Sequence, residues 1–410
     1  MMIISPAKQR RETIASPPPV TLPDELITEV LSFLKVKSLM RLKCVSKSWN
    51  SFISDPFFVK LHLNNSSRNQ NMILFPATFV STCRISLHNS FIILRNLLEN
   101  PSVNLVSKDF KLMFMGWRCH IIGTCNGLTC FVNSPDEVNS PHETEFYLWN
   151  PSMRWLSQKL ASFLHSHQDL NSLFKFSFGY DNLTDKYKMV AFRPNEVRVL
   201  TLNDNVWRNI QSFPTYPYEY LRDHENAGVY LIYSLNWFAL RDIHPYYHYR
   251  YTDLSVQQFV IISLDLGVET YMQFRFSRGF DQVPVVAPIV FHLRECLCFS
   301  HYSVECNYVI WQMKKFGVEE SWTKLLKFDY QNILDSDSYR VVNLLPLHLF
   351  ENGDMLILAR DLKQLICYNL KEKRVVKQAA ATNSICLRWL TVSQYVESLL
   401  KVSSSNDLLV

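Results

Sequence analysis

Residues 22–34, LPDELITEVLSFL, place Leu26, Ile27, Val30, Leu31 and Leu34 at helical spacing, and the pattern predicts an amphipathic helix with one apolar stripe. Pro23 suits the first turn, where a missing N–H costs nothing, and Asp24 and Glu25 favour the positive end of the helix dipole. After the KVK link, SLMRLKCVSKSWNSFIS repeats the period through Leu39, Leu42, Val45, Trp49, Phe52 and Ile53. Ser38 and Ser46 are each placed to cap a helix start, and Asp55-Pro56 reads as the stop. The result is two or three short helices, a unit too small to bury much surface by itself. Its stripes are therefore expected to be shared with another protein.

From about residue 120 the period changes to the alternation of strands, and the pattern repeats. Five stretches each carry a strand pair, a polar turn and then a large residue that opens another strand. Aligned on that residue, Trp155, Trp207, Tyr271, Trp322 and Val375 fall in register at intervals of 52, 64, 51 and 53. Such intervals match four-stranded propeller blades, nearer the ~50 residues of kelch-type blades than the ~40–45 of WD-type blades. Asn126-Gly127 and Asn352-Gly353 supply the backbone freedom of tight hairpins. The longest interval holds an extra loop, DIHPYYHYRYTDLS. Residues 65–117 and the terminal SICLRWLTVSQYVESLL are expected to build a further blade and close the ring, giving six. With only nine glycines in 410 residues, the paired glycines of regular kelch strands are missing, so the repeats are degenerate.

Composition narrows the function. Forty-two basic against 37 acidic residues leave a net charge of +5, too dilute to imply a nucleic-acid partner. Lys35, Lys37, Arg41, Lys43 and Lys47 lie on mixed helix faces, as a solvated surface does; they could also steer an acidic partner. The apolar run VPVVAPIVF at 283–291 is broken by two prolines and falls short of the roughly 20 residues a membrane helix needs. The first twenty residues lack the apolar core of a signal peptide. A cytoplasmic or nuclear protein with no membrane partner is expected.

Ten scattered cysteines contain no CxxC pair, so buried free thiols are expected. His292, Cys296, Cys298, His301 and Cys306 are zinc-compatible residue types without knuckle spacing, and Cys119, His120 and Cys125 form a looser set. No nucleophile elbow, phosphate loop or HExxH is present, so neither a catalytic residue nor a cofactor is assigned.

The segment from Leu22 to Phe58 resembles an F-box of the plant form, with Lys35 where that form commonly has proline. GTCNGL, LWNPS, FGYDNLTDKYK and KKFGVEESWTKL resemble, in order, the F-box-associated kelch-like domain of the same plant families. The resemblance implies a mainly β chain: a disordered lead over 1–20, a helical F-box over 21–60, a kelch-like propeller over 65–402 and a disordered tail over 403–410. It further implies a non-catalytic subunit of a Skp–cullin–F-box ubiquitin ligase. In that family the F-box binds a Skp-family adaptor, and through it cullin and RING subunits, while the propeller holds the protein to be degraded. Carried onto this sequence, the docking residues are Leu22, Pro23, Leu26, Ile27, Leu31, Val36, Leu39, Leu42, Val45 and Trp49, with Leu34, Phe52 and Ile53 read as core. For target contact the aromatic loops offer Tyr216, Tyr218, Tyr220, Tyr246, Tyr247, His248 and Tyr249, large rigid side chains of the kind interface hot spots use. Two other readings stay open: a scaffold or inhibitor that keeps the F-box without delivering a target, and a propeller enzyme with ligands converging in its channel.

Overall fold

The computed structural model describes residues 23–66, 71–80, 84–88, 111–115, 118–134, 142–165, 174–193, 195–204, 206–215, 217, 228–242, 253–276, 279–305, 307–330, 344–350, 353–360, 364–380 and 387–402. Among the described residues four helices come first: α1 (Asp24–Ser32), α2 (Val36–Lys43), α3 (Lys47–Ser54) and α4 (Pro56–Ser66). The fourth corrects the sequence reading. Asp55-Pro56 ends α3 as expected but also starts a fourth helix that was not expected: proline occupies its first position, and Asp55 Oδ1 accepts from the N–H groups of Phe57 (2.9 Å) and Phe58 (3.3 Å). Ser46 caps α3 by accepting from Trp49 N at 3.1 Å, whereas Ser38 lies inside α2 and caps nothing.

Behind the helices, the described strands form six antiparallel sheets. The first joins Asn71–Val80, Arg84–His88 and Lys111–Met115 to Leu387–Tyr395 from the far end of the chain, the closure expected from sequence. The second runs Arg118–Cys125, Leu128–Ser134 and His142–Asn150, whose outer edge takes both Trp155–Leu156 and Ala161–His165. The third is Lys175–Asp181, Lys186–Arg193, Glu196–Thr201, Trp207–Ile210; the fourth is Val229–Leu231, Ser234–Leu240, Phe259–Asp265, Tyr271–Arg275. The fifth is Ile289–Leu293, Cys296–Tyr302, Asn307–Met313, Trp322–Asp329; the sixth is Leu344–Leu349, Met355–Arg360, Gln364–Asn369, Arg374–Ala380.

Inner strands of successive sheets lie side by side, and the sixth returns to the Leu387–Tyr395 strand of the first, so the sheets are blades of a closed ring. The apolar cores sit between blades. Phe146 and Phe176 meet between the second and third, Phe192 and Trp237 between the third and fourth, Phe276 and Phe299 between the fourth and fifth, and Phe328 and Tyr368 between the fifth and sixth. Because strand side chains alternate, each blade supplies one face to each neighbour, which explains why these strands are nearly buried throughout. Asn126 (φ 52°) and Gly127 (φ 75°) make the two-residue turn between Cys125 and Leu128, as expected; Gly353 is left-handed as well, while Asn352 lies outside the described residues. The expected boundaries at 1–20 and 403–410 also lie outside them. No helix among the described residues is long and apolar enough to cross a membrane.

Candidate docking face and target face

The helical unit builds a core from Leu31, Val36, Leu39, Ile53 and Phe58, with Ile27, Leu34, Leu42, Trp49 and Phe52 packed half-buried around it. His62 of α4 is fully buried there; its Nε2 donates to the Leu34 carbonyl at 2.9 Å, which ties α4 to the link between α1 and α2. Burial depresses its imidazole pKa against the opposing pull of that hydrogen bond and the Glu397 charge. Two apolar groups from the ring complete the core: Met153 and, 4% exposed, Leu399. Part of the stripes that the sequence reading left to a second polypeptide is thus covered by the chain itself.

What remains uncovered is sharply placed. The single stripe expected on α1 is two: Ile27, Leu31 and Leu34 turn inward, while Leu26 and Val30 turn outward with Phe33, at 49%, 64% and 54% exposure. Phe33 lies seven residues after Leu26, so the outward row has the same helical period as the inward one. Val45 beyond α2 and Phe57 at the start of α4 add exposed apolar surface. Between α1 and α4 lies a groove lined by Asp24, Glu25, Glu29, Phe33, Phe57 and Leu61. A helix apolar on both sides, standing partly in water, is a surface built to be covered.

Of the residues expected to dock, Pro23, Leu26 and Val45 are exposed, Ile27, Leu42 and Trp49 are half-buried, and Leu31, Val36 and Leu39 are in the unit's own core. Leu22 lies outside the described residues. Val30, Phe33 and Phe57 were missed; the i, i+4, i+7 spacing of Leu26, Val30 and Phe33 was the available signal. Leu34, Phe52 and Ile53 all belong to the core cluster.

The unit touches the ring at the turn after Asn150 through Met153, and at the turn after Asp181 through an ion pair between Lys60 and Asp185. Successive connections in an up-and-down blade alternate between the two ends of the ring. The links 211–228 and 241–258 therefore leave from the opposite end, both beside the fourth blade. Pro217 bridges Ala239 at the end of Ser234–Leu240, and Gln273 Nε2 donates to Thr215 Oγ1 at 3.0 Å. Tyr216, Tyr218, Tyr220, Tyr246, Tyr247, His248 and Tyr249 lie in these links outside the described residues; their described anchors share one end of one blade.

The zinc-compatible residues are divided by their sheet. Phe291 pairs with Cys298 and Leu293 with Cys296, which puts both thiols on one face; His292 pairs with Leu297 on the other, the face that also carries His301. Cys298 is buried and its thiol is pushed up by desolvation, so it behaves as a small apolar side chain. Cys125 is buried and its thiol is likewise pushed up by desolvation, while the side chains of Cys119 and His120, and Cys306 as a whole, lie outside the described residues. Among the described residues no group of three or more His, Cys, Asp or Glu is placed to hold a metal ion.

A family model of the F-box domain matches residues 21–61, and one of the F-box associated beta propeller domain matches residues 82–380. This chain belongs to the F-box proteins that carry an F-box associated propeller. An F-box/kelch-repeat protein of Arabidopsis thaliana is 30% identical over 321 residues, covering 75% of this chain and 79% of the relative. The F-box protein CPR1 of the same plant is 25% identical over 388 residues, covering 87% and 83%. The four helices are thus the F-box and its extension, and the ring of blades is the associated propeller.

Proposed function

We propose that this F-box protein is the substrate receptor of a Skp–cullin–F-box ubiquitin ligase, acting in the cytoplasm or nucleus. The outward row of Leu26, Val30 and Phe33 carries this reading, because it leaves an amphipathic helix incomplete at the part of the chain where F-box proteins engage Skp-type adaptors. Pro23, Leu26, Ile27, Leu42, Val45 and Trp49, with Leu22 just before them, contact the adaptor in this reading. Leu31, Val36 and Leu39 shape that surface from beneath. Exposed Lys35, Lys37, Arg41 and Lys47 steer the encounter. Cullin and RING subunits follow through the adaptor.

The kelch-like ring performs no chemistry; it holds a target at the end away from the F-box, where the 211–228 and 241–258 links arise. Holding the target raises the local concentration of its lysines near the charged conjugating enzyme. The experiment is a titration of the full chain with a plant Skp-family adaptor, followed by pull-down of cullin. Binding that Leu26→Asp abolishes supports the reading. Absence of binding by the unaltered chain, or undiminished binding by the variant, overturns it.

A further inference from the structure

After the closing strand, residues 396–402 run without regular secondary structure at the F-box end of the ring, and three sequence motifs converge on them or beside them. Asn150 of LWNPS is fully buried; its Nδ2 donates to the Ser398 carbonyl (2.9 Å), Ser398 Oγ (3.1 Å) and the Leu400 carbonyl (2.9 Å), while its Oδ1 accepts from Met153 N (3.3 Å). Gly127 of GTCNGL lies against the same segment. A Cβ there would sit 2.3 Å from the Val396 carbonyl and 2.7 Å from Ser398 Oγ, so only glycine permits the approach. Asn126 Nδ2 reaches the hydroxyl of Tyr187, within FGYDNLTDKYK, at 3.4 Å. In that third motif Tyr180 OH donates to the Asp185 carboxylate, the partner of Lys60 in α4.

The segment faces two ways. Leu400 and Val402 pack on the core between the second and third blades, and Leu399 enters the F-box core. Glu397 Oε2 accepts from Val36 N at 3.0 Å, satisfying an N-terminal donor of α2 where Lys35 offers no side-chain cap.

We infer that residues 396–402 are a working part of the F-box module, and that GTCNGL, LWNPS and FGYDNLTDKYK form the joint that fixes the F-box on the ring. Asn150, Gly127, Glu397 and Leu399 are positioning residues: they set the orientation of the docking face relative to the target face. The consequence for ubiquitin transfer rests on the ligase reading above, whereas the joint is testable without any adaptor.

The test uses the full chain with a ketone-bearing non-natural residue in place of Ser51 in α3 and of Val268 in the fourth blade, both exposed positions, labelled with a donor–acceptor fluorophore pair that does not react with thiols. The distance distribution is expected to be narrow in this parent and in Leu399→Met, and broad in Asn150→Ala and Leu399→Asp. Hydrogen exchange should show residues 24–66 losing protection by about tenfold or more in those two variants, with the third to sixth blades unchanged. Unaltered distance and F-box exchange in both variants would overturn the joint, as would uniform loss of protection across every blade. If the joint loosens as expected but no Skp-family adaptor binds, the ligase reading fails and the joint stands.

Discussion

The indole Nε1 of Trp207 donates to the carbonyl of Ser162 at 2.9 Å, so the residue that opens the outer strand of the third blade is bonded to the outer edge of the second. The same link recurs around the ring. Tyr271 OH donates to the Gln211 carbonyl at 2.7 Å, from fourth blade to third, and Trp322 Nε1 donates to the Arg275 carbonyl at 3.1 Å, from fifth to fourth. The register that aligned these aromatics in the sequence is therefore a register of inter-blade ties. Val375 holds the same place in the sixth blade and has no polar tip to donate. Trp207→Phe and Trp322→Phe keep most of the packing and lose the tie, and each is expected to lower stability by about 1 kcal/mol in urea unfolding. Val375→Ala, which breaks no such bond, should cost less than either.

Lys188 is nearly buried and lies 2.8 Å from the Asp181 carboxylate and 2.9 Å from that of Glu269, with its ammonium also donating to the Leu266 carbonyl. Burial alone would raise the Asp181 carboxyl, but hydrogen bonds from Lys188 and Thr184 outweigh it and hold the group below the usual carboxylate range. Removing the cation leaves the fully buried Asp181 carboxylate without its charge partner in a joint between blades, while Glu269 keeps Arg208. Lys188→Met is expected to cost about 3–5 kcal/mol by chemical denaturation, and Lys188→Met with Asp181→Asn should recover part of it. Equal loss in the single and double variants would show that packing, not charge, dominates there.

Much of this architecture is written locally. The step from helical to strand period, the five aligned outer-strand residues, the Asn126-Gly127 turn and the closing role of the terminal strand each depend on a pattern within a few residues, and each is legible for that reason. Pro56 shows the limit of local reading, since proline suits both the end of one helix and the first turn of the next, and only Asp55's bonds to Phe57 and Phe58 decide between them. Glu397 and Val36 stand 361 residues apart, and no periodicity announces their contact. The docking set mixed core and surface because adjacent apolar positions such as Leu26 and Ile27 belong to opposite faces of a helix that is apolar on both.

Three histidines are held neutral by burial. His301 accepts from Trp311 Nε1 at 3.2 Å through Nε2, and desolvation lowers its pKa to about 4 against the charge of Asp281; His292 is likewise lowered to about 4, and His62 is lowered by its burial in the F-box core. A depressed folded-state pKa means the unfolded chain takes up protons first. The stability these groups contribute is complete above the ordinary histidine pKa near 6.5 and is lost as pH falls toward 4. Melting midpoints are expected to drop between pH 7.5 and 5, with a smaller drop in His301→Gln, whose side chain does not titrate. A midpoint that is flat across this range in the unaltered chain would show that other groups compensate.

The two rows of α1 separate docking from stability. Val30 is 64% exposed, so Val30→Lys removes little packing and should leave the F-box folded, with a melting midpoint close to that of the unaltered chain. Leu31, its neighbour, is 7% exposed within the F-box core, and Leu31→Ala is expected to cost about 2–5 kcal/mol and to raise hydrogen exchange through α1–α4. Adaptor binding distinguishes the two: Val30→Lys should lose it in a fully protected F-box, because a lysine ammonium would be desolvated against an apolar partner surface. Leu31→Ala should lose it only in proportion to the unfolded fraction, and lower temperature should restore binding there but not in Val30→Lys. Wild-type affinity in Val30→Lys would mean that the adaptor covers some other part of the helical unit.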